Sequence, residues 1–287
     1  MDASAFRNLR TGIIGGSPIP PALRLQLHDK MNLSGLTSCY GLTEASPIVS
    51  QTRISDPLET RLKSVGQVLP HTSIRIAERD DPYRTLRRGE KGELQIAGYP
   101  IMKGYWQAEA DTARALVVGD RPSSMDSQPR SVWLRSGDEA LMEDDGTIKI
   151  TGRIKDIIIR GGENIYPPEI ENCLLQHPQI ANGSVVGLSD ARYGEVIAAF
   201  LIVRDGVKVK IEEQERDFCL DLRTEDESSR SVLTPEEIRS WIGCRLSKNL
   251  VPKYIFSVSS MPLTASGKIE KYKLQELGNR WLEERSI

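Results

Sequence analysis

The stretch SGDEALMEDDGTIKITGRIKDIIIRGGENIYPPEIE, residues 136–171, decides how the rest of the chain is organised. It starts with an acid, Asp138, in a predicted turn, and residues 147–150 then alternate apolar and polar side chains as a half-buried strand does. An apolar run at residues 157–159 predicts a buried strand. Glycines and charged residues are concentrated around these short strands, which indicates a functional segment and not a plain connector.

The second part of this stretch predicts the start of another structural unit. Gly161 and Gly162 follow the apolar run, and adjacent glycines allow unusual backbone dihedrals or the close approach of a ligand. The prolines at 167–168 then predict the first turn of a helix. We expect Glu169 and Glu171 in that first turn, where the helix dipole favours acids.

Length and composition limit the class of protein. The 287 residues predict one large or two medium domains, and a net charge of -2 gives no nucleic-acid footprint. The sequence contains no run of 18 apolar residues, so it predicts no membrane span. The first residues do not resemble a signal peptide, and we therefore expect an intracellular and most simply cytoplasmic location. The four cysteines lack CxxC spacing, which predicts reduced structural thiols without a metal cluster.

The predicted fold class is α/β followed by α+β. Residues 1–58 show a short strand, a glycine-rich turn and a helix, which is an α/β pattern. Residues 59–154 contain alternating segments separated by turns, which predicts an antiparallel β subdomain resembling a small barrel. Residues 155–287 predict a smaller α+β domain, with a charged surface insertion at 204–232, and residues 119–131 predict a mobile surface loop.

Three loops carry residues suited to ligand chemistry. The segment GGSP at 15–18 lies between a predicted strand and helix, where backbone amides can face a ligand, although a plain tight turn explains it equally. Thr43 and Glu44 follow Gly41, and a hydroxyl beside a carboxylate can hold a phosphate and its Mg²⁺, or can simply cap the loop. Lys268 lies in a loop, where it is either a solvated surface cation or a functional one.

Four motifs in one order carry a family resemblance: GGSP (15–18), YGLTE (40–44), SGD (136–138) with GRIKDIIIRGGENIYPPEIE (152–171), and PLTASGK (262–268). Together they resemble the adenylate-forming, or AMP-binding, superfamily. The segments GYPIMKGYW (98–106) and HPQIANGSVVGLSDARYGE (177–195) make the chain most similar to medium-chain or fatty acyl-CoA synthetases. The resemblance implies part of a large AMP-binding domain at 1–154, and a mobile C-terminal domain at 155–287.

The resemblance also implies an activity. It predicts an ATP-dependent acid–CoA ligase that acts through an acyl-adenylate, with a carboxylic acid, ATP and coenzyme A as substrates and Mg²⁺ as the metal. An adenylation domain that loads a carrier-protein thiol shares the same motifs and stays open as an alternative. A non-catalytic nucleotide-binding remnant is the second alternative.

Residues of the first part of the chain receive roles in the nucleotide site through the resemblance. It assigns the side of the adenine ring and the acyl pocket to Gly16, Ser17 and Pro18. Tyr40 would stack beside the adenine, with Gly41 and Thr43 near the α-phosphate, and Glu44 would be the Mg²⁺ ligand. Asp138 would accept hydrogen bonds from both ribose hydroxyls, and Arg153 would also contact the ribose.

Roles in domain movement and thiol transfer are implied for later residues. Lys155 lies at the family's hinge position, about which the C-terminal domain swings between the two half-reactions. Gly161 and Gly162 would line the pantetheine tunnel. Lys268 would act in the first half-reaction only, where a cation offsets the charge that develops on the bridging oxygens.

One expected motif is absent. The superfamily carries a Ser/Thr/Gly-rich phosphate-binding loop well before GGSP, and residues 1–14 do not resemble it. We therefore expect a C-terminal half of such an enzyme, without ligase activity on its own. An incomplete sheet would expose its edge, which favours self-association through the truncated large domain. A missing N-terminus would also leave an organelle open as the location.

Overall fold

A computed structural model describes residues 6–17, 19–118, 132–209, 231–265 and 267–285. Pro18, Cys219, the predicted loop at 119–131 and most of the predicted insertion at 204–232 lie outside the described residues. The chain forms two compact units, Met1–Lys155 and Asp156–Ile287. Each unit has its own sheets and its own core.

The first unit begins with a small mixed sheet. Its elements are β1 (Thr11–Ile14), α1 (Pro21–Lys30), β2 (Gly35–Tyr40), β3 (Ser50–Gln51), α2 (Leu58–Lys63) and β4 (Gln67–Val68). The strand order is β1-β2-β3-β4, with β1 parallel to β2 and the other pairs antiparallel. The strand–helix–parallel strand order matches the α/β pattern predicted from residues 1–58.

Polar contacts fasten the two helices of this sheet. Arg61 is buried, and its guanidinium donates to the carbonyl oxygens of Ser34 and Leu36 at 2.8 and 3.0 Å. Arg24 on α1 donates to the carbonyls of Arg61 and Leu62 at 3.1 and 2.8 Å. These arginines donate to backbone carbonyls of α2 and of the segment around the start of β2, which helps to satisfy those acceptors.

The second sheet of this unit is open. Its elements are β5 (Thr72–Ala77), β6 (Gly92–Gly98), α3 (Glu109–Ala115), β7 (Leu116–Val118), β8 (Val132–Met142) and β9 (Ile148–Arg153). The strand order is β5-β6-β8-β7, and β9 pairs with β8 on the same side as β7. The barrel-like prediction is wrong for the described strands, because β7 and β9 share one edge of the long β8 and neither pairs with β5.

The core of this unit lies under β6 and β8. Ile76, Leu94, Ile96, Leu134 and Ile148 are buried together with Ala45 and Val49 from the YGLTE loop region. Apolar and polar side chains alternate in residues 93–96 of β6, and the structure buries all of residues 92–97. Both faces of β6 are therefore covered, so its polar side chains lie inside the unit.

The second unit is an α+β fold. It contains β10 (Ile158–Arg160), β11 (Glu163–Ile165), α4 (Pro167–Leu175), β12 (Ile180–Asp190), β13 (Gly194–Val203), β14 (Val207–Val209), β15 (Ser231–Leu233), α5 (Pro235–Gly243), β16 (Tyr254–Ser257) and α6 (Lys271–Arg285). The main sheet runs β11-β10-β13-β12, with β16 parallel to β13. Alternate residues of β12 and β13 point into two cores, one beneath α4 and α5 and one beneath α6.

Helix ends of this unit follow the sequence signals, with one correction. The sequence Thr234-Pro235-Glu236-Glu237 predicts a capping box, and Thr234 and Glu237 form it at the start of α5. Only Glu169 lies in the first turn of α4, so the placement of Glu171 there is wrong. Glu171 instead accepts from the Val185 amide and from Lys271 Nζ, at 2.8 and 2.7 Å.

The length and hydrophobicity of the helices decide whether they could cross a membrane. Across the described ranges of both units, the helices are too short or too polar to cross a bilayer.

Candidate functional site

A bulge in β8 forms the centre of the candidate site. On β6, Glu93 and Gln95 are two residues apart, whereas their partners Glu139 and Arg135 on β8 are four apart. Gly137 lies in this extra segment with φ +70°, a conformation that glycine adopts at little cost. Asp138 therefore lies within a strand at a bulge, and the prediction of a turn there is wrong.

The structure brings together three of the predicted site residues at this bulge. The Tyr40 hydroxyl donates to one carboxylate oxygen of Asp138 at 2.6 Å, and Arg153 Nε donates to the other at 2.9 Å. Asp138 and Arg153 are direct cross-strand partners in β8 and β9. Asp138 is only 7% exposed, whereas the Arg153 side chain is 56% exposed. The result is a buried acid at one end and an accessible guanidinium at the other.

The electrostatics of Tyr40 follow from this geometry. Burial raises the pKa of its hydroxyl above the ordinary value, and the neighbouring Asp138 charge and hydrogen bond raise that pKa further. Tyr40 therefore stays a hydrogen-bond donor to the carboxylate at physiological pH. Tyr40 as a whole is half-buried at the end of β2.

The YGLTE loop is fixed by its backbone. A side chain at Gly41 would overlap the carbonyl oxygen of Pro47, so only glycine fits. Thr43–Ala45 form a short 3₁₀ turn in which no side-chain cap is present, which disfavours the simple capping interpretation of Thr43 and Glu44. Thr43 is exposed and Glu44 is half-buried.

A second loop supports Glu44. The Tyr105 hydroxyl donates to the Glu44 carboxylate at 2.9 Å, and the Glu44 carbonyl accepts from the Met102 amide at 2.8 Å. Burial and this hydrogen bond raise the pKa of Tyr105 above the ordinary value. Sequence reasoning missed Tyr105, although it lies in the GYPIMKGYW segment at 98–106.

The GGSP loop follows β1. A side chain at Gly15 would overlap Cys39 on the neighbouring strand, and Gly16 adopts φ +89°. The close approach at Gly15 and the positive φ at Gly16 explain both glycines as parts of a tight turn. Gly15, Gly16 and Ser17 are all exposed. A ligand role for Gly16 and Ser17 stays a prediction.

In the second unit, Gly161 and Gly162 form the turn between β10 and β11. They adopt φ +59° and +88°, which explains the glycine pair by backbone conformation. The Gly161 amide donates to the Tyr193 carbonyl at 2.8 Å. Both residues are exposed, so their predicted contact with a pantetheine arm stays a prediction.

The two predicted lysines are also exposed. Lys268 closes a tight loop in which its amide donates to Thr264 Oγ1 at 3.0 Å and its carbonyl accepts from the Thr264 amide at 2.8 Å. Lys155 lies in the 3₁₀ turn Ile154–Asp156, where the first compact unit ends. The structure thus fixes the backbone of Lys268 while leaving its side chain at the surface.

The residues present offer few metal ligands. Throughout the described part of the chain, no group of three His, Cys, Asp or Glu residues could hold a metal ion by itself. A single carboxylate such as Glu44 nevertheless fits Mg²⁺ in a nucleotide complex, because that ion takes most of its ligands from phosphates and water.

Comparison with known proteins gives the family. The model of the AMP-binding enzyme matches residues 1–106, and the model of the AMP-binding enzyme C-terminal domain matches residues 169–268. The chain belongs to the AMP-binding enzyme family. The two matches fall one in each compact unit.

Relatives of this AMP-binding protein are ligases by name. It is 41% identical over 290 residues to the acyl-CoA ligase SID4 of Ajellomyces capsulatus, a match that covers 99% of this chain and 44% of the relative. It is 38% identical over 271 residues to a mitochondrial medium-chain acyl-CoA ligase of Mus musculus, covering 94% of this chain and 38% of the relative. The chain thus spans less than half the length of these relatives.

Solved structures include adenylate-forming enzymes. The o-succinylbenzoate CoA synthetase of Bacillus subtilis, in complex with its acyl-adenylate intermediate, matches with a TM-score of 0.70 and 26% identity. That match covers 95% of this chain and 49% of the other. The AMP-binding fold therefore extends over both units described above.

Proposed function

We propose that this AMP-binding protein supplies the ribose-binding and thiol-transfer parts of an ATP-dependent acid–CoA ligase. One carboxylate oxygen of the acid attacks the α-phosphorus of ATP, and pyrophosphate leaves, giving an acyl-adenylate. The sulfur of coenzyme A then attacks the acyl carbonyl carbon, and AMP and the thiol proton leave. The buried Asp138 carboxylate, held by Tyr40 and Arg153, is the observation that carries the proposal.

The Asp138 site suits a vicinal diol. An ionised carboxylate only accepts hydrogen bonds, and its two oxygens together offer about four lone-pair sites, so this group type suits two adjacent ribose hydroxyls. Bonds to a charged acceptor in a buried site are stronger than neutral ones. Arg153, being more than half exposed, adds a donor at the mouth of the same site.

We assign the phosphate end of the nucleotide to the YGLTE loop. Thr43 would contact the α-phosphate beside the Gly41 backbone, and Glu44, oriented by Tyr105, would hold Mg²⁺. That ion, when bound, supplies positive charge to the phosphate oxygens. Gly16 and Ser17 would lie along the adenine, in line with the family resemblance.

The second unit is assigned to the lysine-dependent and thiol-dependent chemistry. Lys268 would stabilise charge on the bridging oxygens during adenylation, as a compact cation carried on a fixed loop backbone. Gly161 and Gly162 would admit the thiol arm for the second half-reaction. Lys155 would be the pivot between the two steps.

Coenzyme A is the favoured acceptor. Relatives over nearly the whole chain are named acyl-CoA ligases, which supports a free thiol over a carrier-protein thiol. An assay with supplied acyl-AMP and either coenzyme A or a pantetheinylated carrier protein separates the two. Faster transfer to the carrier would favour the alternative.

The proposal is tested by nucleotide binding to the 287-residue protein. We expect AMP to bind, measured by titration calorimetry, and Asp138→Ala to weaken it at least about tenfold, since hydrogen bonds to a charged group contribute about 1.5–3 kcal/mol. Asp145→Ala, an exposed acid in the turn between β8 and β9, is the control and should bind AMP normally. Absent AMP binding, or equal binding by Asp138→Ala, would contradict the proposal.

A further inference from the structure

Glu93 is a buried acid that the proposed mechanism does not use. It lies on β6, is 2% exposed, and faces the bulge of β8. Its carboxylate accepts from Arg135 Nε at 2.7 Å and from the Gly137 amide at 3.2 Å. Gly137 directly precedes Asp138, so one buried acid holds the backbone that presents another.

The bulge explains why such an acceptor is needed. Extra residues in one strand lose their ladder partners, and a buried amide without an acceptor costs free energy. Two side chains replace the missing ladder bonds, since Glu93 accepts from the Gly137 amide and Ser136 Oγ accepts from the Asp138 amide at 3.0 Å. Ser136 Oγ in turn donates to the Leu94 carbonyl at 2.6 Å, beside Glu93 on β6.

The charge of Glu93 is balanced locally. Arg135 lies on β8 with its side chain one-third exposed, so the pair places a buried negative end against the bulge and a positive end toward the surface. A buried carboxylate is tolerated only with such partners. An apolar side chain would fill the same space for stability alone but would leave the Gly137 amide without this acceptor.

We propose that Glu93 is a positioning residue for ribose recognition, acting through Gly137 to hold the Asp138 carboxylate toward the two ribose hydroxyls. The inference rests on the proposed nucleotide-binding function. Glu93 makes no contact with the nucleotide in this proposal. The effect of Glu93 on AMP affinity must therefore depend on the ribose hydroxyls that Asp138 binds.

The test compares AMP with 2′,3′-dideoxy-AMP, which lacks those hydroxyls, by titration calorimetry on the 287-residue protein. In the wild type we expect AMP to bind at least about tenfold more tightly than the dideoxy analogue. Glu93→Ala should bring this ratio to within about twofold of one, while its affinity for the dideoxy analogue stays near that of the wild type. Glu93→Gln keeps an oxygen acceptor and should retain most of the ratio.

Glu171→Ala is the matched control. Glu171 also accepts from one backbone amide, that of Val185 at 2.8 Å, and from one cation, Lys271 at 2.7 Å, but it belongs to the second unit. It should lower the melting temperature without changing the AMP ratio. An equal loss of the ratio in Glu171→Ala would identify a general structural effect and overturn the proposal.

A second variant covers the case in which Glu93→Ala does not fold. Gly137 has φ +70° and open space around a hypothetical Cβ among the described atoms, so Gly137→Ala strains the bulge without touching the buried ion pair. It should also reduce the AMP ratio. Hydrogen exchange of the Gly137 amide needs no ligand and should be at least about tenfold faster in Glu93→Ala than in the wild type or Glu93→Gln.

The possible outcomes distinguish a failure of the proposed nucleotide-binding function from a failure of the positioning role of Glu93. A wild-type ratio of one overturns the proposed function and this inference with it. A wild-type ratio well above one that a folded Glu93→Ala preserves overturns the inference alone. If Glu93→Ala does not fold, a ratio that Gly137→Ala preserves overturns it in the same way. Equal exchange of the Gly137 amide in wild type and Glu93→Ala does the same.

Discussion

The Asp138 bulge in the first unit and the Lys268 loop in the second are built in opposite ways. Asp138 is buried and held by side chains from β2 and β9, 98 and 15 positions away along the chain. Lys268 is exposed, and its loop is closed by Thr264 only four residues before it. One candidate site is therefore assembled by residues far apart in the chain, whereas the other is a self-contained loop that presents a cation.

This difference predicts that changes at the Asp138 bulge affect both stability and activity, whereas changes at Lys268 affect activity alone. Changes at the bulge should disturb folding and nucleotide binding together, because the same bonds serve both. A change at the lysine should leave folding intact, because exposed side chains contribute little to stability. The following predictions test that difference, from the largest expected effect to the smallest.

Lys268→Ala should give the largest effect on rate. We expect acyl-adenylate formation to fall on the order of 10²–10³-fold, since one contact to developing charge is lost, with an unchanged melting temperature. Thioester formation from supplied acyl-AMP should be spared. Pyrophosphate exchange measures the first step in a protein that joins this chain to the part of the acyl-CoA ligase SID4 that the match does not cover.

Lys273→Ala is the control for that experiment. Lys273 is a nearby lysine at the start of α6 that pairs with Glu270 at 2.6 Å. Its loss should change the exchange rate by less than about twofold, because exposed ion pairs contribute little. Comparable losses in the two variants, or an equal loss in both half-reactions of Lys268→Ala, would contradict the assigned role.

Gly41→Ala should lower both the stability of the first unit and its affinity for AMP. The new methyl group would overlap the Pro47 carbonyl, and overpacking of this kind costs about 1–3 kcal/mol of unfolding free energy. AMP binding should weaken as well, because Tyr40 precedes Gly41 directly. Denaturant unfolding and calorimetry measure the two effects.

Gly243→Ala is the matched glycine in the second unit. A Cβ there would make an ordinary contact with Val251 at 3.6 Å, and the residue ends helix α5. Stability should be unchanged or slightly higher, with normal AMP binding. A stable Gly41→Ala variant with weak AMP binding would show that stability and recognition are separable at this site too.

Asp190→Asn should have the smallest effect, with a defined pH dependence. Lys253, and then the Tyr193 and Arg192 amides, lower the pKa of Asp190 to about 2. Because the folded-state pKa is depressed, this stabilisation is present above the ordinary value of 3.8 and is lost as pH falls toward about 2. The melting temperatures of wild type and variant should converge over that range.

Lys253→Met supplies the second arm of this experiment. It removes the largest cause of the depressed pKa, so the pH dependence of the Asp190→Asn effect should shrink in that background. If the melting temperatures of wild type and Asp190→Asn differ by a constant amount from pH 6 to 2, the Asp190–Lys253 ion pair does not contribute to the pH dependence of stability. Since Tyr193 holds the Gly161 amide, thioester formation is a useful parallel measurement.

Local signals predicted much of the fold. The capping box at Thr234, the helix start at Pro167 and the apolar strands of the second unit follow from residues close in sequence. The barrel prediction was wrong because sheet closure depends on which strands pair, and alternation does not encode pairing. Asp138 was predicted in a turn because a glycine in a bulge and a glycine in a turn look alike in sequence.

The candidate site divides along the same line. Motif order was sufficient to identify the AMP-binding family and to nominate Tyr40, Asp138, Arg153 and Lys268. It gave no sign of Tyr105 or Glu93, because each acts on a partner more than 40 residues away.

By itself the sequence determined the family, the order of the elements and the residue types that can perform the chemistry, because these depend on local spacing and composition. Only the tertiary structure decided which of those residues meet. The contact of Tyr40 with Asp138, and the support of its bulge by Glu93, arise where distant strands pair, and pairing is set by the packing of whole sheets.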